Sequence, residues 1–219
     1  MDLAAPPRSM SGQDFFERAA ARLSFVVPAG LTDPSVTPTR GDHDIDPVLE
    51  AIAQVRPIRP AAVLIPVIDR AEPTVLLTQR TTALSSHAGQ IAFPGGKLDP
   101  VDASPLAAAL REAEEEVGLD RRFVHPIGYL DVYMTTLGFR IVPTLARVAP
   151  DFELTLSPAE VHDAFEVPLR FLMQPANYQQ RRREWRGLMR TAYAIPFGDR
   201  DIWGVTAGIL RNLYERIYA

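Results

Sequence analysis

Apolar residues recur along this chain with two different periods, and the switch between them sets the expected architecture. After Ser11, the residues Phe15, Phe16, Ala19, Ala20 and Leu23 return at the three- and four-residue intervals of one helical face. Ser11 with Asp14 three positions on forms a capping pair, so the spacing predicts an amphipathic first helix. Pro28, Pro34, Pro38 and Gly41 then break the chain into loop. Asp46 and Pro47 read as an N-cap followed by proline at the first helical position, opening a short second helix with Val48, Ile52 and Val55 as its buried stripe.

From residue 61 the period changes. Residues 62–68 and 74–78 are nearly continuous apolar runs joined by the polar link 69–73, which predicts two strands in a hairpin, covered on both faces. Further strands are expected over 123–133, 141–148 and 191–196, the last meeting a Gly198-Asp199 turn, and helices over 106–117, 158–165 and 205–218. Strands interleaved with helices predict an α/β sandwich on a mixed sheet. The organisation expected is an N-terminal helical extension and loop over residues 1–60, then one domain over 61–219.

The helix over 106–117 has the clearest boundaries. Ser104 is a cap, Pro105 stands at the first position, and Gly118 is the stop. At about 100° per residue, Leu110, Ala113 and Val117 fall within about 40° of Leu106 and form the expected buried stripe. Glu115, Glu112 and Glu116 fall near roughly 180°, 240° and 280° on the same wheel, an acidic face directed away from the core. Three carboxylates so spaced repel one another, and the macrodipole near a helix C-terminus disfavours them further. A hard divalent cation such as Mg²⁺ removes the objection, and Arg111 can hold a glutamate in its ligating orientation.

Composition narrows the chemistry further. The chain has 219 residues, 47% hydrophobic and 23% charged, enough for a sizeable core. No cysteine is present, which excludes a disulfide framework, a thiolate metal site and a cysteine nucleophile. A net charge of −4 supplies no basic field for nucleic acid or anionic membrane. No apolar run approaches membrane-spanning length and the first ten residues carry no apolar signal core, so the expected location is cytoplasmic. Asp42, Asp44 and Asp46 resemble the start of a calcium loop, but Pro47 and Ala53 stand where glycine and glutamate are required, leaving solvated loop acids.

The stretch Arg111-Glu112-Ala113-Glu114-Glu115-Glu116-Val117-Gly118-Leu119 resembles the second half of the Nudix box, G-x5-E-x7-R-E-U-x-E-E-x-G-U, with U aliphatic. In the first half, Asp102 stands where glutamate is expected, counting from Gly96, and eight residues rather than seven separate it from Arg111. Upstream, residues 76–96, ending in Phe93-Pro94-Gly95-Gly96, resemble the L-L-T-x-R-[SA]-x3-R-x3-G-x3-F-P-G-G signature of the coenzyme A pyrophosphatase branch. Thr81 replaces the usual serine or alanine, and Ser85 occupies a position usually basic.

The resemblance implies a Nudix-type α/β/α sandwich and hydrolysis, dependent on Mg²⁺ or Mn²⁺, of the pyrophosphate in coenzyme A or its acyl or oxidised forms. It implies Glu112, Glu115, Glu116 and the Gly96 carbonyl as metal ligands, with Glu115 the leading proton acceptor and Arg111 orienting the glutamates. Arg80 would contact a phosphate or pair with a helix glutamate, while His87, Gln90 and Lys97, the sole lysine, are substrate-binding candidates. Glu160 is an additional acid, as ligand or base. Arg181, Arg182, Arg183, Arg186 and Arg190, interleaved with Tyr178 and Trp185, read as a solvated basic loop or as a patch for the 3′-phosphate and adenine. The alternatives are a Nudix hydrolase of another nucleoside diphosphate such as ADP-ribose or NADH, and a non-catalytic Nudix ligand sensor. The expected partner is a small molecule, with a homodimer compatible with the first sixty residues. Residues 99–120 hold seven acids and one base, so the chain's acidity is concentrated in this one segment.

Overall fold

A computed structural model describes residues 11–82, 89–185 and 188–219. It is built of short helices and strands. In chain order these are α1 (Gly12–Arg22), β1 (Arg40–Gly41), α2 (Val48–Gln54), β2 (Arg59–Ile68), β3 (Thr74–Arg80), β4 (Ile91–Ala92), β5 (Gly95–Lys97), α3 (Pro105–Val117), β6 (Val124–Tyr129), β7 (Tyr133–Met134), β8 (Phe139–Val148), β9 (Val161–Pro168), α4 (Leu169–Leu172), β10 (Gln179–Trp185), β11 (Leu188–Phe197), β12 (Arg200–Trp203) and α5 (Val205–Tyr218).

The hairpin expected from the two apolar runs is β2 and β3, antiparallel with Val67 opposite Val75. β2 runs parallel to β8 over ten paired positions and antiparallel to β5, which makes the sheet mixed. β9 extends it beside β3, β6 and β7 pair with β8, and β1 joins β7 in parallel. A second antiparallel sheet runs β10-β11-β12. Alternation along β2 sends Ile65 and Val67 to one face and Leu64 and Ile68 to the other, all fully buried. The first face packs with α1 through Phe15, Phe16 and Ala19 and with α5 through Leu210, Leu213 and Ile217. The second packs with α3 through Ala108, Ala109, Ala113 and Val117. Helices on both faces of a mixed sheet are the α/β/α sandwich that the pattern predicts.

Three expectations about elements fail. Residues 158–165 are not a helix: the helical signal is one turn, in which Glu160 N–H and Val161 N–H both donate to the Ser157 carbonyl (3.0 and 2.8 Å). The chain then straightens into β9, because pairing with the free side of β3 satisfies its backbone, with Leu77 opposite Phe165 and Gln79 opposite Asp163. The arginine-rich stretch is not a loop either; it is β10, paired with β11 from Gln179 to Trp185. In α2, Leu49 and Ala53 face inward, while Val48 and Val55 are exposed. The helix opens from Pro47, and Asp46, instead of capping it, accepts from the Thr191 N–H of β11 (3.3 Å), which fixes the phase of the helix that follows.

Asp42 is also not a solvated loop acid. Its carboxylate accepts from the Tyr133 hydroxyl (3.1 Å) and from the N–H and hydroxyl of Thr136 (2.8 Å each), so the loop after α1 is tied to the β7 region. Ser11 does cap α1, its hydroxyl accepting from Asp14 N–H at 3.1 Å. Among the described residues no helix is long and apolar enough to cross a membrane.

Candidate active site

The boundaries of α3 follow the sequence signals. Ser104 Oγ accepts from Ala107 N–H (3.1 Å), Pro105 occupies the first turn, and Gly118 stops the helix at φ 68°, where a Cβ would come within 2.9 Å of the Thr155 nitrogen. The phase of the helix differs from the wheel. Its buried side is Ala108, Ala109, Ala113, Glu116 and Val117, with Leu106 and Leu110 at the margins. Three alanines let the helix axis approach the sheet closely, a packing that hydrophobicity alone does not rank above leucine. One consequence is chemical. Glu116, expected on the outward face, is 2% exposed.

Glu116 enters the protein with two partners. Gly95 N–H donates to Oε2 at 3.1 Å, and Arg80 Nη1 lies 3.3 Å from Oε1. Burial nevertheless pushes its carboxyl up to about 7, with Gly95 N–H and Arg80 acting the other way and Glu112 and Glu160 adding repulsion. One turn earlier, Glu112 is half-buried and its proton affinity is likewise raised by burial, against the pull of Arg111. Its carboxylate lies against the backbone of β5: a Cβ on Gly96 would collide with Glu112 Oε1. Glycine at 96 is therefore the space that the carboxylate occupies.

Arg111 organises the outer side. It donates to both oxygens of Asp102 (3.1 and 2.9 Å), to Glu112 Oε1 (3.1 Å), to Glu115 Oε2 (2.9 Å) and to the Lys97 carbonyl (3.4 Å). The hydrogen bonds from Arg111 hold Asp102 below the usual carboxylate range. Sequence reasoning left Asp102 without a role; Arg111 reaches it despite the extra residue between them, and Asp99 N–H donates to Asp102 Oδ2 (2.8 Å). Glu115 is exposed and turned toward Arg111. Glu114, off the acidic arc, pairs instead with Arg121.

Among the described residues no three carboxylate or imidazole side chains already close around one point. The donors nonetheless suit a hard cation. They are oxygen only, one of them sits in a cradle that a Cβ would fill, and two, one buried and one half-buried, have a raised proton affinity that a cation would relieve. Gly96→Ala should therefore fold, since the obstacle is the end of a flexible side chain, while Mn²⁺ affinity measured by calorimetry falls about tenfold or more. An unchanged affinity would separate the Gly96–Glu112 contact from any cation site.

The family model described as the NUDIX domain matches residues 58–186. The chain belongs to the Nudix hydrolase family. Two relatives, both described as "Uncharacterized Nudix hydrolase NudL", come from Photorhabdus laumondii subsp. laumondii and from Yersinia pestis. The first is 41% identical over 159 residues, 73% of this chain and 85% of its own. The second is 40% identical over 159 residues, 73% of this chain and 80% of its own. A solved MutT/nudix family protein from Enterococcus faecalis aligns at TM-score 0.46 and 14% identity, covering 74% of this chain and 62% of that one.

In this Nudix protein the remaining sequence candidates separate into groups. Arg80 and Gly95, both from the upstream signature, meet the helix at Glu116. Glu160 is brought close enough to repel Glu112 and Glu116, and its carbonyl accepts from Thr81 N–H (3.0 Å). Gln90 reaches Arg80 through the backbone, its carbonyl accepting from Arg80 N–H at 2.9 Å. Lys97 is exposed on β5, with only its carbonyl drawn into the Arg111 network. Arg181 is held by Asp201 (3.1 Å) and lies on the second sheet. His87, Ser85 and Arg186 lie outside the described residues.

Proposed function

We propose that this Nudix hydrolase cleaves the pyrophosphate of coenzyme A or its acyl or oxidised derivatives, giving 3′,5′-ADP and 4′-phosphopantetheine or its derivative. The observation that carries the reading is the meeting at Glu116: Arg80, from the Leu-Leu-Thr-Gln-Arg end of β3, and Gly95, from Phe93-Pro94-Gly95-Gly96, bond the two oxygens of one Nudix-helix carboxylate. The segment that resembles the coenzyme A branch is thus built into the wall of the acidic site.

Glu112, Glu115, Glu116 and the Gly96 carbonyl would hold Mg²⁺ or Mn²⁺. When bound, such a cation neutralises charge on the phosphoanhydride oxygens and makes an attacking water more acidic. The chain's own groups do the rest. Arg111, anchored on Asp102, orients Glu112 and Glu115; Gly95 N–H fixes Glu116; and Glu115, the most exposed of the three, would accept the proton of water. Lys97 and Gln90 flank the same strand pair and serve the substrate phosphates in this reading, as would His87. The protein acts in the cytoplasm in this account, on a small molecule.

The test is mass spectrometry of products after incubating the purified protein and Mg²⁺ with coenzyme A, acyl-coenzyme A, ADP-ribose and NADH. Formation of 3′,5′-ADP from the coenzyme A species is expected to exceed cleavage of the other two. Cleavage of ADP-ribose or NADH without 3′,5′-ADP would transfer the activity to another nucleoside diphosphate, and no cleavage of any would favour a ligand-sensing role.

A further inference from the structure

Two arginines serve the acidic site, and they are held very differently. Arg111 is fully committed, with paired bonds to Asp102 and one each to Glu112 and Glu115. Arg80, the last residue of β3, reaches Glu116 through a single contact, Nη1 to Oε1 at 3.3 Å. That is long for a charge-assisted bond and uses one donor of a fork that pairs best through two. Among the described residues, the buried Arg80 Nε–H meets no acceptor. Glu116, for its part, does not depend on Arg80 for position, because Gly95 N–H already holds Oε2. The oxygen left for a cation is Oε1, the same atom that Arg80 occupies.

We infer that Arg80 is an exchangeable counter-ion: it neutralises Glu116 in the metal-free protein, gives up Oε1 when a divalent cation is taken up, and turns its guanidinium, Nε–H included, to a phosphate oxygen of the substrate. The inference rests on the metal role proposed above for Glu116. The exchange keeps a positive charge beside Glu116 at each stage. A buried carboxylate is never left alone, and the released guanidinium finds its new partner in the anion that follows. Cation and phosphate then favour each other's binding through a residue that touches the phosphate and never the cation.

Calorimetric titration of the metal-free, full-length protein with Mn²⁺ tests this without turnover. Arg80→Gln is expected to bind Mn²⁺ about three- to tenfold more tightly than wild type, because no resident cation has to leave Oε1. A structure of Mn²⁺-loaded wild type is expected to show Arg80 Nη1 beyond bonding distance of Glu116 Oε1. Equal or weaker Mn²⁺ binding by a folded Arg80→Gln protein overturns the exchange. So does an Arg80–Glu116 pair still intact in the loaded structure, a measurement that needs no variant and decides the matter if Arg80→Gln does not fold. Wild type that binds no Mn²⁺ at all overturns instead the metal reading beneath it.

Discussion

Glu116→Gln is expected to give a folded protein that turns over substrate about a hundredfold more slowly or worse, and in metal-free buffer above pH 7 is at least as stable as wild type. The glutamine keeps an oxygen for the Gly95 N–H and keeps the volume, but it cannot carry the negative charge that a cation needs. Stability follows from titration. The Glu116 carboxyl is pushed up to about 7 by burial, whereas in the unfolded chain it sits near 4.5. Between those values the folded protein holds a proton that the unfolded chain has released, so stability falls as pH rises through that window, by on the order of 3 kcal/mol. The variant lacks this slope. Melting temperatures in chelator from pH 5 to 8, with initial rates in Mg²⁺, check both halves. Near-normal turnover would remove Glu116 from the chemistry, and a variant less stable than wild type at pH 8 would show that the Arg80 contact outweighs burial.

The second large effect is expected at Arg111. Arg111→Met keeps the unbranched stem of the side chain but leaves Asp102, Glu112 and Glu115 without their shared partner, and the Asp102 side chain is only 4% exposed. Losing charge-assisted bonds at shielded carboxylates costs about 3 kcal/mol, a fall of roughly 6–12 °C in melting temperature for a chain of this size. Turnover should drop by about a hundredfold as Glu112 and Glu115 lose their orientation. Arg111→Lys restores charge without the fork, so it should recover part of the stability and little of the rate. Full recovery of rate by lysine would mean that the site needs a positive charge there and no geometry.

How much of this was legible in the residues depended on whether local or distant contacts decide the matter. Ser104, Pro105 and Gly118 bound α3 by local hydrogen bonding, and the structure keeps all three signals. The apolar runs of β2 and β3 needed only burial on both faces. Residues 158–165 fit either period, and the vacant side of β3 chose strand. The phase of α3 turned on close approach by Ala108 and Ala109, which a wheel centred on Leu106 leaves outside the stripe, while Ala113 lies on the buried side in both. That rotation is why the burial of Glu116 was missed, while its pairing with Arg80 was one of two readings open from sequence. Asp102 escaped because motif spacing counts residues, whereas Arg111 responds only to where the carboxylate arrives.

The packing of α1 and α5 bears on how small a working piece of this protein can be. Both helices lie outside the 58–186 segment that defines the family, yet Phe15, Ala19, Leu210, Leu213 and Ile217 are part of the same buried cluster as Ile65 and Leu77 of the central strands. A fragment trimmed to the family boundaries would retain every acid of the site and present much of one face of its sheet to water. The shortest self-sufficient unit therefore runs from the first helix to the last, and catalytic completeness and structural completeness have different end points along this chain.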